Sequence, residues 1–227
     1  MILPRKTLEL KLLKNYRYII AVDEVGMGSL AGPVVVCAAV FDKKFFRKKR
    51  PKLHWLRDSK LLSPKKREEF ARELFRVPGL KFQICYSYPK IIDRINIYQA
   101  ARLAMRRAVT RLAVGDKQYA IGQKGPIAYS LKPKAIILVD GPHKIPGLDI
   151  EQIPIVKGDR KIFAIACASI IAKVYRDRMM ANYGKRFPDY GFERHRGYST
   201  RLHRTQLTAL GPTPIHRRSF TPVARLG

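Results

Sequence analysis

Four carboxylates stand at positions where a buried strand ends, in a chain otherwise poor in acids. Asp23 and Glu24 follow the apolar run YIIAV and precede Gly26; Asp140 follows AIILV and precedes Gly141; Asp159 follows IPIVKG. Such side chains are hard oxygen ligands, and several of them converging on divalent ions roughly 4 Å apart is what metal-assisted phosphodiester hydrolysis requires. Each acid alone reads equally well as a cap or turn residue. Jointly they do not, because a negative charge beside a buried strand is costly without a cation. One geometric condition applies: neighbours on a regular strand point to opposite faces. Asp23 and Glu24 therefore reach one metal only if the strand breaks there, as Gly26 and Gly28 permit.

The elements that must carry these residues are legible in the patterning. Tyr16 to Asp23 and Pro33 to Phe41 are rich in β-branched residues and joined by a short Gly-rich stretch, which predicts an antiparallel pair. Leu80 to Tyr88 alternates like a third strand, Ala135 to Asp140 reads as a strand buried on both faces, and Ile153 to Val156 is a fifth candidate. Ser63-Pro64 announces a helix running to Val77-Pro78-Gly79, with Glu68, Glu69 and Glu73 on a solvated face. Ile91 to Leu112 is expected as one helix with Ile92, Ile95, Ala104, Ala108 and Leu112 on a shared face, Phe163 to Met180 as another, and Arg201 to Leu210 as a third. Gly115 to Lys134 lacks pattern and reads as a loop or hairpin. Together these predict an α/β fold: a mixed five-stranded sheet flanked by helices, with a C-terminal helical region. The expected division is an N-terminal extension (1–18), a catalytic body (19–183) and a basic C-terminal helical region (184–227).

Charge points to the partner. The 227 residues carry 46 Lys and Arg against 17 Asp and Glu, a formal net charge of +29, and such an excess is relieved by a polyanion. Nucleic acid is the expected partner, but charge alone does not separate an enzyme from an RNA- or ribosome-binding protein. KKFFRKKRPK, Lys43 to Lys52, holds seven basic residues in ten and is expected to be an exposed loop adding sequence-independent duplex affinity. Cys37, Cys85 and Cys167 lie in apolar runs without metal or disulfide spacing and read as free thiols of a cytoplasmic protein. No apolar run is long enough to span a membrane, and no signal peptide is evident.

The ordered motifs resemble one family. AVDEVGMGSLAGPVVVCAAV, then Asp58-Ser59-Lys60 with Leu62-Ser63, INIYQAARLAMRRAV, LVDG, VKGD with ACASIIAKVYRD, and HRGYSTRLHRTQLTALGPTPIHRRSF are similar, in that order, to the motifs of bacterial ribonuclease HII, from about Ile19 to Val223. The resemblance implies a ribonuclease H-like fold and a monomeric endonuclease cutting the RNA strand of RNA–DNA hybrids and 5′ of ribonucleotides embedded in duplex DNA. It implies two Mg²⁺ or Mn²⁺ ions on Asp23, Glu24, Asp140 and Asp159, with products ending in 3′-hydroxyl and 5′-phosphate. It also implies substrate contacts from Gly26, Met27 and Gly28 to the ribose 2′-hydroxyl, from Tyr198 to the following sugar, and from Lys60 and Ser169 to the backbone. Met27 departs from the family pattern, which has arginine there. Asp177 is expected to pair with a neighbouring arginine, and His195, His203 and His216 to be backbone, phosphate or surface groups. A related family, ribonuclease HIII, has an extra N-terminal domain, which is not expected here because only about 18 residues of the sequence precede the first motif. A member without junction preference stays open.

Overall fold

The computed structural model describes residues 3–53, 55, 56, 59–114 and 134–226. Asp58 lies outside them, as does the expected loop after Gly115 except Lys134.

In chain order the elements are α1 (Thr7–Leu12), β1 (Tyr18–Val25), β2 (Val34–Asp42), α2 (Lys43–Arg47), α3 (Pro64–Phe75), β3 (Lys81–Ser87), α4 (Pro89–Ile95), α5 (Ile97–Val114), β4 (Ala135–Asp140), β5 (Glu151–Ile155), α6 (Gly158–Lys161), α7 (Phe163–Arg186), α8 (Phe192–His195) and α9 (Arg201–Leu210). The sheet order is β3-β2-β1-β4-β5. β1 and β3 run antiparallel to β2, while β4 runs parallel to β1 and β5 parallel to β4. This is the expected mixed five-stranded sheet.

Strand alternation sends residues to two cores. Ile19, Ala21, Cys37 and Ala39 face α7 and α3, whereas Ile20, Val22, Val36 and Ala38 face α5 through Ala104, Ala108 and Leu112. Helix α7 is buried along most of its first twelve residues, which explains why its sequence is small and apolar all round instead of amphipathic. Helix α3 begins as expected, with Ser63 Oγ accepting from Lys66 N–H at 3.3 Å and Pro64 in the first turn.

The structure departs from the expected elements in several places. The helix expected from Ile91 to Leu112 is two helices, broken at Asn96 (φ +65°), whose side chain accepts from Gln99 N–H at 3.0 Å. With ψ at 165° this backbone is strained for a non-glycine residue, and the local bond from the Asn96 amide oxygen helps to hold it. Ile92 and Ile95 consequently pack with Val34 and Ala100, away from the Ala104, Ala108 and Leu112 face. Residues of the expected N-terminal extension pack on the main core: Leu13 is buried there, and Glu9, fully buried, accepts from Ala164 N–H at 3.0 Å in the first turn of α7. A boundary at 183/184 falls inside α7.

The run from Lys43 is also more structured than a loop. Asp42 caps α2 by accepting from Phe45 N–H, and Phe45 and Phe46 are buried while the surrounding lysines are exposed. Asp42 pairs with Tyr18 at the start of β1, so the run leaves the sheet at the end opposite Asp23.

Candidate active site

Strand β1 does not break at Asp23. It continues to Val25, with Asp23 opposite Cys37 and Glu24 opposite Val36 on β2. What opens is the other side: pairing with β4 ends at Val22↔Val139. Asp23 and Glu24 thus extend past the last β1–β4 pair, where Asp140 terminates β4. The expected break in β1 is absent; the opening at this point lies between β1 and β4 instead.

Asp159 arrives from a separate element. Lys157 takes a left-handed conformation (φ +56°) and starts the single-turn helix α6, an arrangement that costs a non-glycine residue on the order of 1–3 kcal/mol. The turn directs Gly158 N–H at Asp140 Oδ1, 2.6 Å away. A Cβ at Gly158 would stand 2.6 Å from Ile165 Cδ1 and 3.2 Å from that same carboxylate oxygen. Only glycine lets α6 sit this close to β4.

The four acids share one electrostatic environment. Burial, then Glu24, Asp140 and Asp159, holds the Asp23 carboxyl well above the usual carboxylate range; a hydrogen bond from Ser169 opposes this. Burial and Asp140 push Glu24 up to about 7, with Lys60 opposing. Glu24 Oε2 is closed to solvent without a hydrogen-bond partner. A cluster of hard oxygen donors that repel one another, one of them orphaned, suits divalent cations. Among the described residues, no three acidic, His or Cys side chains already close around a point at which an ion could be held.

Around the acids, Lys60 Nζ lies 3.8 Å from Asp159 Oδ2 on a largely exposed side chain. Ser169 is buried on α7, its hydroxyl 3.1 Å from Ser59 Oγ and bonded to Asp23, so it faces the carboxylate cluster. Asp177 pairs with Lys173 at 2.7 Å and with Arg67 at 3.4 Å, as an ion-pair residue should.

The turn after β1 meets the C-terminal region. Ser29 bridges to Tyr198, and Ala31 to His216. Gly26 adopts φ +95°, and a Cβ there would stand 2.3 Å from Arg176 Nε; Gly28 is exposed, and a Cβ on it would meet nothing within 4 Å. Glycine at 26 is therefore demanded by the fold, whereas glycine at 28 keeps open space on the surface. Met27 turns its side chain into the cluster of Val34, Ile92 and Ala101 with Phe220. Tyr198 is half-buried, with Lys173 Nζ 5.4 Å and Arg176 Cζ 5.3 Å from its ring centre.

Several residues that organise the site carried no separate sequence signal. Arg176 and Arg217 are both fully buried. Burial, then Arg176, lowers Arg217 to about 9, which leaves it protonated at neutral pH. An arginine within the small, apolar stretch of α7 was the one available hint. The three C-terminal histidines are buried rather than superficial, and their ring nitrogens bond backbone and one another.

A mixed sheet in this order, with acids gathered where β1 and β4 stop pairing, defines a ribonuclease H-like nuclease. The family model described as Ribonuclease HII matches residues 20–223. A ribonuclease HII from Chlorobium phaeobacteroides is 42% identical over 212 residues, covering 93% of this chain and 94% of that protein. The chain belongs to the ribonuclease HII family and is a ribonuclease H endonuclease. Among solved structures, the ribonuclease HII of Archaeoglobus fulgidus, in its complex with PCNA, superposes with TM-score 0.63 at 27% identity, over 89% of this chain and 94% of that one. A ribonuclease HIII (Bst-RNase HIII) in complex with Mn²⁺ shares the fold at TM-score 0.61 and 18% identity, over 96% of this chain and 71% of that one.

Proposed function

We propose that this enzyme cuts 5′ of ribonucleotides embedded in duplex DNA as well as within RNA–DNA hybrids, using two divalent ions held by Asp23, Glu24, Asp140 and Asp159. The observation that carries this is the shared carboxylate environment, with Asp23 and Glu24 both raised and Glu24 Oε2 unpartnered. The Mn²⁺ complex of a protein with the same fold is consistent with it. Bound there, the ions would supply Lewis-acid activation of water and neutralise charge on the leaving 3′ oxygen.

The chain's own groups do the rest. Ser169 and Gly158 N–H orient Asp23 and Asp140. Lys60, exposed beside Asp159, supplies positive charge to a substrate phosphate. Backbone groups of Gly26, Met27 and Gly28 meet the 2′-hydroxyl, the group that separates RNA from DNA locally, and Tyr198 packs on the next sugar. Free, buried cysteines suit a reducing cytoplasm, and no helix among the described residues is long and apolar enough to cross a membrane.

The test compares a DNA duplex holding one ribonucleotide with a full RNA–DNA hybrid, each with Mg²⁺, Mn²⁺ or chelator. Cleavage of both with metal and of neither in chelator is the expected result. Cleavage of the hybrid alone would leave a ribonuclease H without junction preference, and cleavage in chelator would remove the metal assignment.

A further inference from the structure

The segment between β1 and β2 is mostly buried yet makes few sheet or helix bonds, so its backbone oxygens must find donors elsewhere. Two guanidinium groups supply them. Arg217 donates from Nη2 to Gly26 O at 2.6 Å, from Nη1 to Met27 O at 2.9 Å and from Nε to Gly32 O at 3.0 Å. Arg176 donates from Nε to Pro33 O at 3.1 Å, from Nη2 to Ala31 O at 3.2 Å and from Nη1 to Arg196 O at 2.9 Å. Two desolvated cations thus satisfy six carbonyls, five of them in Gly26–Pro33.

Peptide geometry gives this a direction. In a trans peptide the C=O of one residue and the N–H of the next point oppositely. Holding Gly26 O and Met27 O on Arg217 therefore turns the Met27 and Gly28 N–H groups away from it, toward the side where Gly28 is exposed. Arg176 ties the same segment to Arg196 O and lies over the Tyr198 ring.

We infer that Arg217 and Arg176 are positioning residues for substrate discrimination: Arg217 fixes the 26–28 turn as a pair of outward N–H donors for a ribose 2′-oxygen, and Arg176 locks that turn to the tyrosine segment. This rests on the proposed role of the turn. Arginine suits the task because its planar fork holds several acceptors at fixed angles, whereas a lysine ammonium on a flexible stem does not impose that geometry. A merely structural arginine would support binding to all duplexes alike; a positioning one matters only where a 2′-hydroxyl is present.

Binding measured in chelator, where the metal-dependent cut does not occur, separates the two. The probes are a DNA duplex with one central ribonucleotide and the same duplex wholly of DNA. Wild type is expected to prefer the ribonucleotide duplex by about tenfold, the worth of one or two hydrogen bonds. Arg217→Lys is expected to bring that ratio to about one with the all-DNA Kd changed less than twofold. An unchanged ratio, or equal weakening on both duplexes, would overturn the inference. A wild-type ratio of one would instead overturn the role of the turn, and the inference with it. Amide hydrogen exchange on the wild-type protein covers a lysine variant that does not fold. Met27 and Gly28 amides should exchange freely alone and slow on the ribonucleotide duplex only; protection in the free protein would overturn the outward orientation.

Discussion

His203 and His216 face each other through their Nε2 atoms, 3.0 Å apart, and the surrounding bonds fix which one donates. Tyr198 O lies 3.0 Å from His203 Nδ1, so that nitrogen carries a proton; Thr213 N–H donates to His216 Nδ1 at 2.9 Å, so that nitrogen does not. In the neutral pair, His216 Nε2–H therefore donates to His203 Nε2. Burial, then His195 beside His203 and His203 beside His216, pushes each down to about 4.

The sign of the pH effect follows. The unfolded histidines bind protons near pH 6.5 and the folded ones only near 4, so their contribution is complete above about 6.5. It is lost as pH falls toward 4, by on the order of 3 kcal/mol for each histidine that must be charged. Asp23 and Glu24, raised instead of lowered, act oppositely over part of this range, so the histidines are best read individually. Their imidazole NMR signals should not titrate between pH 8 and about 5. Titration near 6.5 would show that the pair is not held neutral.

Glu9 gives a prediction in the segment expected as an N-terminal extension. Its Oε1 accepts from Ala164 N–H at the start of α7, and burial raises its pKa. Glu9→Ala leaves that donor without its acceptor and should cost about 1–3 kcal/mol, read as a lower urea midpoint with duplex affinity unchanged. A midpoint like wild type would mean that water replaces the carboxylate.

Why Glu9 escaped a sequence reading, while Asp140 did not, is physical. Strand ends and helix starts are local: AIILVD predicts β4 to the residue, and Ser63-Pro64 predicts α3, because alternation and capping act over a few positions. Glu9 meets Ala164 across 155 residues, and Arg217 meets Gly26 across 191; no local pattern encodes such pairs. The acids at 23, 24, 140 and 159 were legible because uncompensated charge after apolar runs is itself anomalous. That β1 stays paired with β2 through Glu24 while its pairing with β4 ends at Val22 was not, since strand pairing is non-local.

Removing one of those charges should separate stability from activity. Asp23→Asn or Asp140→Asn should reduce cleavage below detection while duplex affinity stays within about threefold. In metal-free buffer at about pH 8, Asp23→Asn relieves a buried, mutually repelled carboxylate and should raise Tm by about 2–4 °C. Near wild-type turnover at saturating Mg²⁺ in either variant would refute the ligand assignment.

The basic run should be electrostatically separate from the substrate groove. It begins beside Tyr18, five residues before Asp23 on the paired strand, which is about 17 Å of strand. Arg194, Arg201 and Arg204, by contrast, are exposed around Tyr198. Neutralising these three should flatten the salt dependence of binding to a short duplex by about 0.9 for each phosphate that is no longer neutralised. Neutralising Lys44, Lys48 and Lys49 should leave that slope unchanged on the same duplex. A slope that falls equally in both triple variants would mean that the run folds over the groove.

Met27 stands where the family pattern has arginine, and its surroundings say which property should change. Its carbonyl is held by Arg217 Nη1 at 2.9 Å, a bond that no side chain at 27 alters, so Met27→Arg should keep discrimination between RNA and DNA. Its side chain packs against the cluster of Val34, Ile92, Ala100 and Ala101, and withdrawing it should cost about 1 kcal/mol of stability. In exchange, an arginine released from that cluster could meet a substrate phosphate with a charge-assisted bond. A single embedded ribonucleotide offers one productive register, whereas a long hybrid offers many, so better positioning should help the first substrate more. Met27→Arg is therefore expected to raise the cleavage rate on the single-ribonucleotide duplex by several-fold more than on the hybrid, and Tyr198→Ala to depress the first more than the second. Paired single-turnover rates on both substrates decide it: equal effects of Met27→Arg on the two would show that position 27 takes no part in reading the junction.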